Sequence, residues 1–156
     1  KNSIESVHPF LRQSNWMHRN LILAGIFNMT NVKELFENLV ELGQHPKEMA
    51  DTVTVMEKIG HFLDKEVMQL YQDCKQEGYS KREASPVIAE RLDIAKILTR
   101  SAKNLDGGYA MAGLLGHGDA FVFRDPAGIR PAYFYQDDEV VVVFSLTTVV
   151  MVLVLK

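Results

Sequence analysis

The sequence predicts an α+β fold in which helices pack on antiparallel sheet. Apolar residues recur at helical spacing from about residue 31 to residue 102, and the spacing changes to short β-type runs after Gly108. These runs are apolar or aromatic and are separated by turn residues, as in an antiparallel meander. Because strands and helices do not alternate along the chain, we do not expect a parallel sheet.

One strand and three helices are expected before the β region. The strand covers 21–24. The first helix has Asn31 as a suitable N-cap and Glu34 three residues later, which is the capping-box pattern. The third helix has Ser85 as its cap and Pro86 at its first helical position. The predicted helices cover about 31–43, 51–78 and 85–102.

Four strands joined by tight turns are expected after the helices. The last of them opens an uncharged segment of 16 residues, from Val140 to Leu155. This segment is shorter than the ~20 residues that a helix needs to span a bilayer, and it is rich in β-branched residues. One or two buried strands are therefore predicted there, and no membrane association. The predicted strands cover 109–115, 120–124, 132–135 and 139–145.

The composition is that of one globular domain. The chain has 156 residues, of which 47% are hydrophobic and 24% charged, and this is enough to bury a core. The formal net charge of −3 and the lack of a basic stripe in the sequence argue against nucleic-acid binding. Cys74 is the single cysteine, so no internal disulfide can form, which fits a reducing cytoplasm.

Both ends of the chain have the character of cuts in a longer sequence. The chain begins at Lys1 without a methionine and stops at Lys156 directly after an apolar run. We therefore expect residues 1–156 to form one domain that is truncated at its N-terminus.

The most informative segment is Arg-Asp-Pro-Ala-Gly-Ile-Arg-Pro at 124–131, between two aromatic β-type runs. Asp-Pro-x-Gly is turn chemistry, because proline fixes φ and glycine tolerates positive φ. Physical chemistry alone thus predicts a hairpin corner that carries Arg124 and Arg130. Flanking one turn, these arginines are expected to pair with Asp125 or with nearby carbonyls rather than to bind phosphate.

Three segments of the chain together resemble the glutaminase domain of amidophosphoribosyltransferases, which make the first committed intermediate of purine synthesis. The segment 108–131 ends in the octapeptide, which matches the family signature Arg-Asp-Pro-x-Gly-Ile-Arg-Pro. Ala-Asp-Thr at 50–52 falls where the family has Ser-Asp-Ser or Ser-Asp-Thr. Leu-Ala-Gly-Ile-Phe-Asn-Met-Thr-Asn at 23–31 falls on Leu-Ala-His-Asn-Gly-Asn-Leu-x-Asn. The resemblance spans the chain from Pro9 to about Ser145.

The resemblance implies an N-terminal nucleophile (Ntn) hydrolase fold, a four-layer αββα sandwich. The family nucleophile is a cysteine at the mature N-terminus, whose own α-amino group acts as the base and whose thiolate attacks the glutamine carboxamide to form a thioester. Cys74 lies instead on the apolar stripe of the second helix, where a free cysteine is expected to pack as a small hydrophobe. The sequence therefore lacks this nucleophile, and it lacks the upstream arginine loop that holds the glutamine carboxylate.

The resemblance also implies the substrate contacts. Asp51 falls on the carboxylate that holds the α-ammonium of glutamine, and a helix start is compatible with that role because the helix dipole favours an acid there. Ile26 and Phe27 fall where the family has Asn-Gly, whose side-chain amide and backbone N–H form the oxyanion hole. Since isoleucine has no side-chain donor, three alternatives stand: Asn28 takes the role, main-chain N–H groups act alone, or the site is impaired.

Two further sets of polar residues are expected to be structural. His117 lies between two glycines and is interpreted as a turn residue rather than as a ligand contact. Glu57, His61 and Asp64 share one face of the second helix, but no fourth partner is evident in the sequence. A solvated helix face is therefore expected there, and no metal site.

For the whole protein, the resemblance implies glutamine as a substrate, a cytoplasmic location and a homo-oligomer. It implies no cofactor in this domain, and Mg²⁺ in a phosphoribosyltransferase domain that this sequence does not include. One alternative is another class II amidotransferase, such as asparagine synthetase, glucosamine-phosphate synthase or glutamate synthase; the octapeptide argues against these. The other alternative is a non-catalytic paralogue that keeps the fold as a binding module, which Ile26 and Phe27 favour.

Overall fold

The computed structural model of the chain describes residues 9–145. Over this range the chain forms six strands and four α-helices, together with a single 3-10 turn. The strands are β1 Phe10–Arg12, β2 Leu21–Met29, β3 Gly107–Leu115, β4 Ala120–Arg124, β5 Tyr133–Gln136 and β6 Val141–Phe144. The helices are α1 Val32–Glu41, α2 Asp51–Gln76, α3 Lys81–Arg91 and α4 Ile94–Ala102.

The strands form two antiparallel sheets, which together with the helices confirm the predicted α+β class. One sheet has four strands in the order β1-β2-β3-β4, and β5 pairs with β6 in a second sheet of two strands. The β3–β4 hairpin is as predicted, but the meander does not continue, because β5 does not pair with β4. Pro126 and Pro131 lie in the connection and have no N–H, so an uninterrupted strand there would lose ladder hydrogen bonds.

The helices cover one face of the four-stranded sheet. Strand residues alternate between the two faces, and the inward side chains of β2 and β3 are buried against α2. Helix α2 also packs on α3 and α4, so it is the central helix of the core. The buried apolar residues of its stripe are Val53, Val55, Met56, Ile59, Leu63, Val67 and Cys74.

The predicted third helix is two helices. Its start at Ser85 is wrong, because Ser80 is the N-cap of α3 and forms a complete capping box with Glu83, which leaves Pro86 inside the helix. The helical pattern also breaks after Leu92, where Asp93 begins α4 by accepting a hydrogen bond from the backbone N–H of Lys96 at 2.9 Å. The apolar residues keep their helical spacing across this break, so periodicity alone predicted one continuous helix.

Because Asp93 holds the start of α4, Asp93→Ala should destabilise the protein by about 1 kcal/mol, the usual cost of losing an N-cap. The measurement is the free energy of unfolding from chemical denaturation. Asp93→Asn is the matched control, since asparagine caps about as well as aspartate and should leave the free energy nearly unchanged. Equal losses in both variants would mean that the charge matters and the cap does not.

Strand β2 is longer than predicted and runs straight through Gly25. The glycine is explained by close packing rather than by a turn: a Cβ at Gly25 would lie 2.5 Å from the carbonyl oxygen of Ala110 and 2.7 Å from the Cβ of Met111. Met111 is its partner across the sheet. The segment 26–28, which lies beyond the predicted strand 21–24, therefore belongs to β2.

The predicted last strand is shorter and more exposed than expected. Strand β6 covers Val141–Phe144, and Val141 and Val143 are both largely exposed. The rest of the uncharged segment, residues 146–156, lies outside the described residues, so its predicted strand stays a prediction. Among the described helices, none combines the length and apolarity that crossing a membrane requires.

Candidate functional site

Asp51 lies at the beginning of α2 and contacts the end of β2. It is the first residue of the helix, after the N-cap Ala50, and one carboxylate oxygen accepts a hydrogen bond from the backbone N–H of Met29 at 2.9 Å. The carboxylate thus binds the strand end instead of capping its own helix. The helix dipole favours a negative charge at this position. Asp51 is partly buried, so its carboxylate keeps some access to solvent.

The three positions expected to form the oxyanion hole lie just before Met29. Their partners on β3 are Ala110 for Ile26, Tyr109 for Phe27 and Gly108 for Asn28. Because a strand alternates, Ile26 and Asn28 are on the outer face and are exposed, whereas Phe27 turns inward and packs against the core.

The hydrogen-bond donors at positions 26–28 come partly from side chains and partly from the backbone. Ile26 is 45% exposed and lines an outer cavity of about 290 Å³, yet it offers no polar atom to that cavity. Asn28 is on the same face and carries an amide donor. Alternate residues direct their N–H groups to the same edge of a strand, so the N–H of Phe27 is on the edge where Asp51 meets Met29.

The octapeptide forms a turn organised by Asp125. This carboxylate is only 3% exposed and accepts hydrogen bonds from the backbone N–H groups of Ile129 at 2.7 Å, Arg130 at 3.0 Å and Tyr109 at 3.3 Å. Burial alone would raise the pKa of Asp125, but these three N–H donors and the nearby Arg124 keep the pKa below its usual range. Asp125 therefore stays ionised and joins the turn to β3.

The arginines of the octapeptide differ in their surroundings. Arg124 donates to the carbonyl oxygens of Arg130 at 2.6 Å and Gly128 at 2.8 Å, so the predicted structural role of Arg124 is confirmed. The Nε of Arg130 is buried and has no hydrogen-bond partner among the described residues. For Arg130 the structural role stays a prediction.

The turn packs over the end of β3. A Cβ on Gly108 would lie 2.6 Å from the Cγ2 of Ile129, so a larger residue at 108 would require the side chain of Ile129 to move. Gly108 is also the partner of Asn28, and Asn28 precedes the residue that Asp51 binds. The three sequence segments that carry the resemblance thus meet at one end of the four-stranded sheet.

A second set of hydrogen bonds at this end was not predicted. Thr30 donates from its backbone N–H to the carbonyl of Asp106 at 2.9 Å, and its hydroxyl bonds the Asp106 carboxylate. Asn31, predicted as a capping side chain, is at the N-cap position of α1 but makes no capping bond. Its amide donates to the carbonyl of Asn104 at 2.8 Å and its oxygen accepts from the N–H of Asp106 at 3.2 Å. No sequence pattern indicates such a connection between distant segments.

The remaining polar predictions have mixed outcomes. Cys74 is fully buried in the core, as expected for a packing residue. The helix face of Glu57 and Asp64 is not simply solvated, because both carboxylates bind the guanidinium of Arg12, at 3.1 and 2.6 Å. Within residues 9–145, no group of three or more His, Cys, Asp or Glu residues could hold a metal ion.

His117 is in the predicted turn, but its ring is buried beside a second histidine that sequence reasoning missed. The ring centroids of His18 and His117 are 5.3 Å apart, and the Nε2 of His18 lies 2.9 Å from the hydroxyl of Ser85. The Nε2 of His117 is 3.2 Å from an Asp119 carboxylate oxygen without hydrogen-bond geometry. Burial, and then the neighbouring His117, lower the pKa of His18 below its usual value, although Ser85 opposes this.

The lowered pKa of His18 predicts acid sensitivity. The unfolded chain takes up a proton near pH ~6.5, before the folded chain does, so stability is complete above that pH and falls as the pH drops towards the folded-state pKa. We expect the loss of melting temperature between about pH 7.5 and 5 to be smaller in His18→Asn than in the wild type. Identical pH profiles for the two proteins would contradict this assignment.

Comparison with known proteins supports the fold. No protein-family model and no curated protein matches the chain. Among solved structures, its fold is similar to part of an amidotransferase. One matching structure is glutamine phosphoribosylpyrophosphate (PRPP) amidotransferase from B. subtilis, complexed with ADP and GMP; the TM-score is 0.62 and the identity 22%, over 90% of this chain. The chain spans 25% of the length of that protein, so the likeness concerns a part of it.

Proposed function

We propose that this chain is the glutaminase part of a glutamine-dependent amidophosphoribosyltransferase. It would release ammonia from glutamine for transfer to phosphoribosyl pyrophosphate. The observation that carries the proposal is the meeting of the three resembling segments at one end of the sheet, where Asp51 binds Met29 and the octapeptide turn packs on Gly108. The fold likeness over 90% of the chain supports it independently.

The proposal includes the Ntn four-layer αββα sandwich. Helices cover the inner face of the four-stranded sheet, while its outer face is apolar and exposed at Ile22, Ile26, Leu114 and Val122. An antiparallel sheet that is apolar on both faces is typical of a layer that packs on a second sheet. The sheet β5–β6 borders the outer cavity through Val143 and Phe144, which is consistent with that arrangement.

In this proposal Asp51 holds the α-ammonium of glutamine. One of its oxygens is occupied by the N–H of Met29, and the other remains for the substrate. The positions proposed for the oxyanion hole are Ile26, Phe27 and Asn28, and Asn28 is the side-chain donor that this sequence offers in place of the family asparagine. One such donor typically contributes about 2.7–4 kcal/mol to transition-state stabilisation.

The nucleophile in this proposal is an N-terminal cysteine outside the present sequence. Cys74 is unsuitable because its thiol is enclosed in the core, where neither glutamine nor a base can reach it. The proposed reaction begins when the thiolate attacks the carboxamide carbon. Collapse of the tetrahedral intermediate breaks the C–N bond, and the leaving nitrogen takes up a proton and departs as ammonia. Water then hydrolyses the thioester to glutamate.

The whole protein, on this proposal, includes a phosphoribosyltransferase domain that uses Mg²⁺ and receives the ammonia. It also acts as a cytoplasmic homo-oligomer. The test is an assay of the full-length protein with phosphoribosyl pyrophosphate and Mg²⁺, and with glutamine or free ammonia as the nitrogen donor. We expect product with both donors. Product with asparagine-forming or glucosamine-phosphate substrates instead would assign the chain to another class II amidotransferase.

A non-catalytic paralogue is the second candidate function, and Ile26 is the observation that favours it. An exposed apolar side chain stands where the family has an amide donor. Ile26→Asn in the full-length protein distinguishes the two cases. In an enzyme that works with main-chain donors and Asn28, this variant should keep or increase the glutaminase rate. A binding module should show no glutaminase activity with either residue.

A further inference from the structure

A cavity of about 550 Å³ lies between α1, α2 and the end of α4. It shares no residue with the proposed glutamine site at Asp51 and Ile26–Asn28. Its size is within the range of about 300–1,000 Å³ that is usual for small-molecule sites. The proposed glutaminase function does not use it.

One wall of the cavity is apolar because two helices present matching faces. Leu35, Leu39 and Leu42 recur at helical spacing along α1 and at its end, and Phe62 faces them from α2. Such a wall buries the apolar body of a ligand.

The other side of the cavity is cationic. Lys58, Arg100 and Lys103 line it together with the carboxylate of Glu41, and Arg100 is also paired with Glu66 at 3.4 Å. The Lys58 ammonium donates to the carbonyl of Lys103, which ties α2 to the end of α4. Burial lowers the pKa of Lys58, although Glu34 opposes this, so the charge of Lys58 lacks part of its hydration. An anion in the cavity would compensate for that loss.

His61 adds a largely buried ring to the same wall. Its ring is about nine-tenths buried, and its Nε2 has no hydrogen-bond partner among the described residues. Its Nδ1 lies 3.3 Å from the amide nitrogen of Gln44, so when the Gln44 amide donates, the ring proton is on Nε2. Burial lowers the pKa of His61 and keeps the ring neutral near pH 7. The Nε2 itself is enclosed by protein atoms, so His61 lines the cavity without offering this N–H group to a ligand.

We propose that this cavity binds a small organic anion with a carboxylate or phosphate head and an apolar body. The head contacts Lys58 and Lys103. The body packs on the leucines of α1 and on Phe62. Head and body are both required, because the cations without the wall would bind any salt ion, and the wall without the cations would bind any apolar solute.

The experiment is calorimetric and NMR titration of the full-length protein with two amphipathic probes, hexanoate and phenyl phosphate. Inorganic phosphate supplies the head alone and 1-hexanol the body alone. At least one amphipathic probe should bind at least about tenfold more tightly than both single-feature controls, with shifts at His61 and Phe62. Binding of hexanoate would identify the head group as a carboxylate, and binding of phenyl phosphate would identify it as a phosphate. No binding by either probe, or equal binding by a control, overturns the proposal.

A matched pair of variants tests the residues. Lys103 is exposed, so Lys103→Met should keep the melting temperature and weaken binding by about 10-fold or more, as loss of a charge-assisted contact requires. Lys33→Met removes an exposed lysine of α1 outside the cavity and should bind normally. Equal affinity in wild type and Lys103→Met would overturn the assigned head-group contact and with it the proposal. Glutaminase activity is a separate readout, so its absence would leave this result unaffected.

Discussion

Asp51→Asn in the full-length protein should lower glutamine-dependent kcat/KM by about 10- to 100-fold, because it removes the proposed contact with the α-ammonium of glutamine, and a charge-assisted contact is worth roughly 1.5–3 kcal/mol. Asparagine retains an oxygen that can accept the N–H of Met29, so the contact that joins α2 to β2 is kept. The loss should therefore concern substrate binding and not folding. Steady-state rates with glutamine and with ammonia measure it.

Ammonia-dependent activity of Asp51→Asn should be nearly unchanged, because ammonia bypasses the glutamine site. Asp93→Asn is a matched control, since Asp93 is another acid at a helix start but lies at the N-cap of α4. It should leave both activities unchanged. If Asp51→Asn loses activity equally with glutamine and with ammonia, Asp51 is a structural residue and not a substrate ligand.

Tyr109→Ala should destabilise the protein by about 3–5 kcal/mol, the range observed for loss of a large buried aromatic side chain. Tyr109 is 1% exposed, and its ring centroid lies 5.3 Å from that of Phe123. Tyr109 also pairs with Phe27 across the sheet, so the cavity that Tyr109→Ala leaves in the core would loosen the proposed site. At roughly 2–4 °C per kcal/mol for a chain of this size, the melting temperature should fall by about 10 °C.

Two controls separate burial from other effects of Tyr109→Ala. Tyr109→Phe keeps the ring and should retain most of the stability. Phe134 is 75% exposed on β5, so Phe134→Ala should change the free energy of unfolding by less than about 0.5 kcal/mol. A loss at Phe134 as large as that at Tyr109 would show that the sheet β5–β6 contributes to the core more than its exposure indicates.

Much of the fold could be predicted from periodicity. The change from helical to β spacing marks the position where the chain passes from α4 to β3, and the glycine-containing turn at 116–119 gives the β3–β4 hairpin. What failed was the position of breaks inside continuous apolar patterns. Asp93 interrupts the helical stripe because its side chain caps a new helix. Strand β2 continues through Gly25, and the glycine is needed there because Met111, which is distant in sequence, packs closely against it. Single-sequence patterns contain no information on the second kind of contact.

The residues of the candidate site were proposed from the sequence, whereas their geometry could not be predicted from it. The resemblance named Asp51 and Ile26–Asn28, and the turn chemistry located the octapeptide corner. The bond from Met29 to Asp51 and the bonds from Thr30 and Asn31 to residues 104–106 depend on backbone groups that any residue type carries. The His18–His117 pair joins positions about 100 residues apart, and only the folded chain brings them together.

The central claim is that this chain is part of a glutaminase whose nucleophile is not Cys74. Incubation of the full-length protein with a diazoketone analogue of glutamine, followed by peptide mass spectrometry, tests it most directly. We expect one covalent adduct on an N-terminal cysteine, loss of ammonia release from glutamine in step with labelling, and protection by glutamine. An adduct on Cys74 that abolishes glutaminase activity, or the absence of both adduct and ammonia release, would contradict the account.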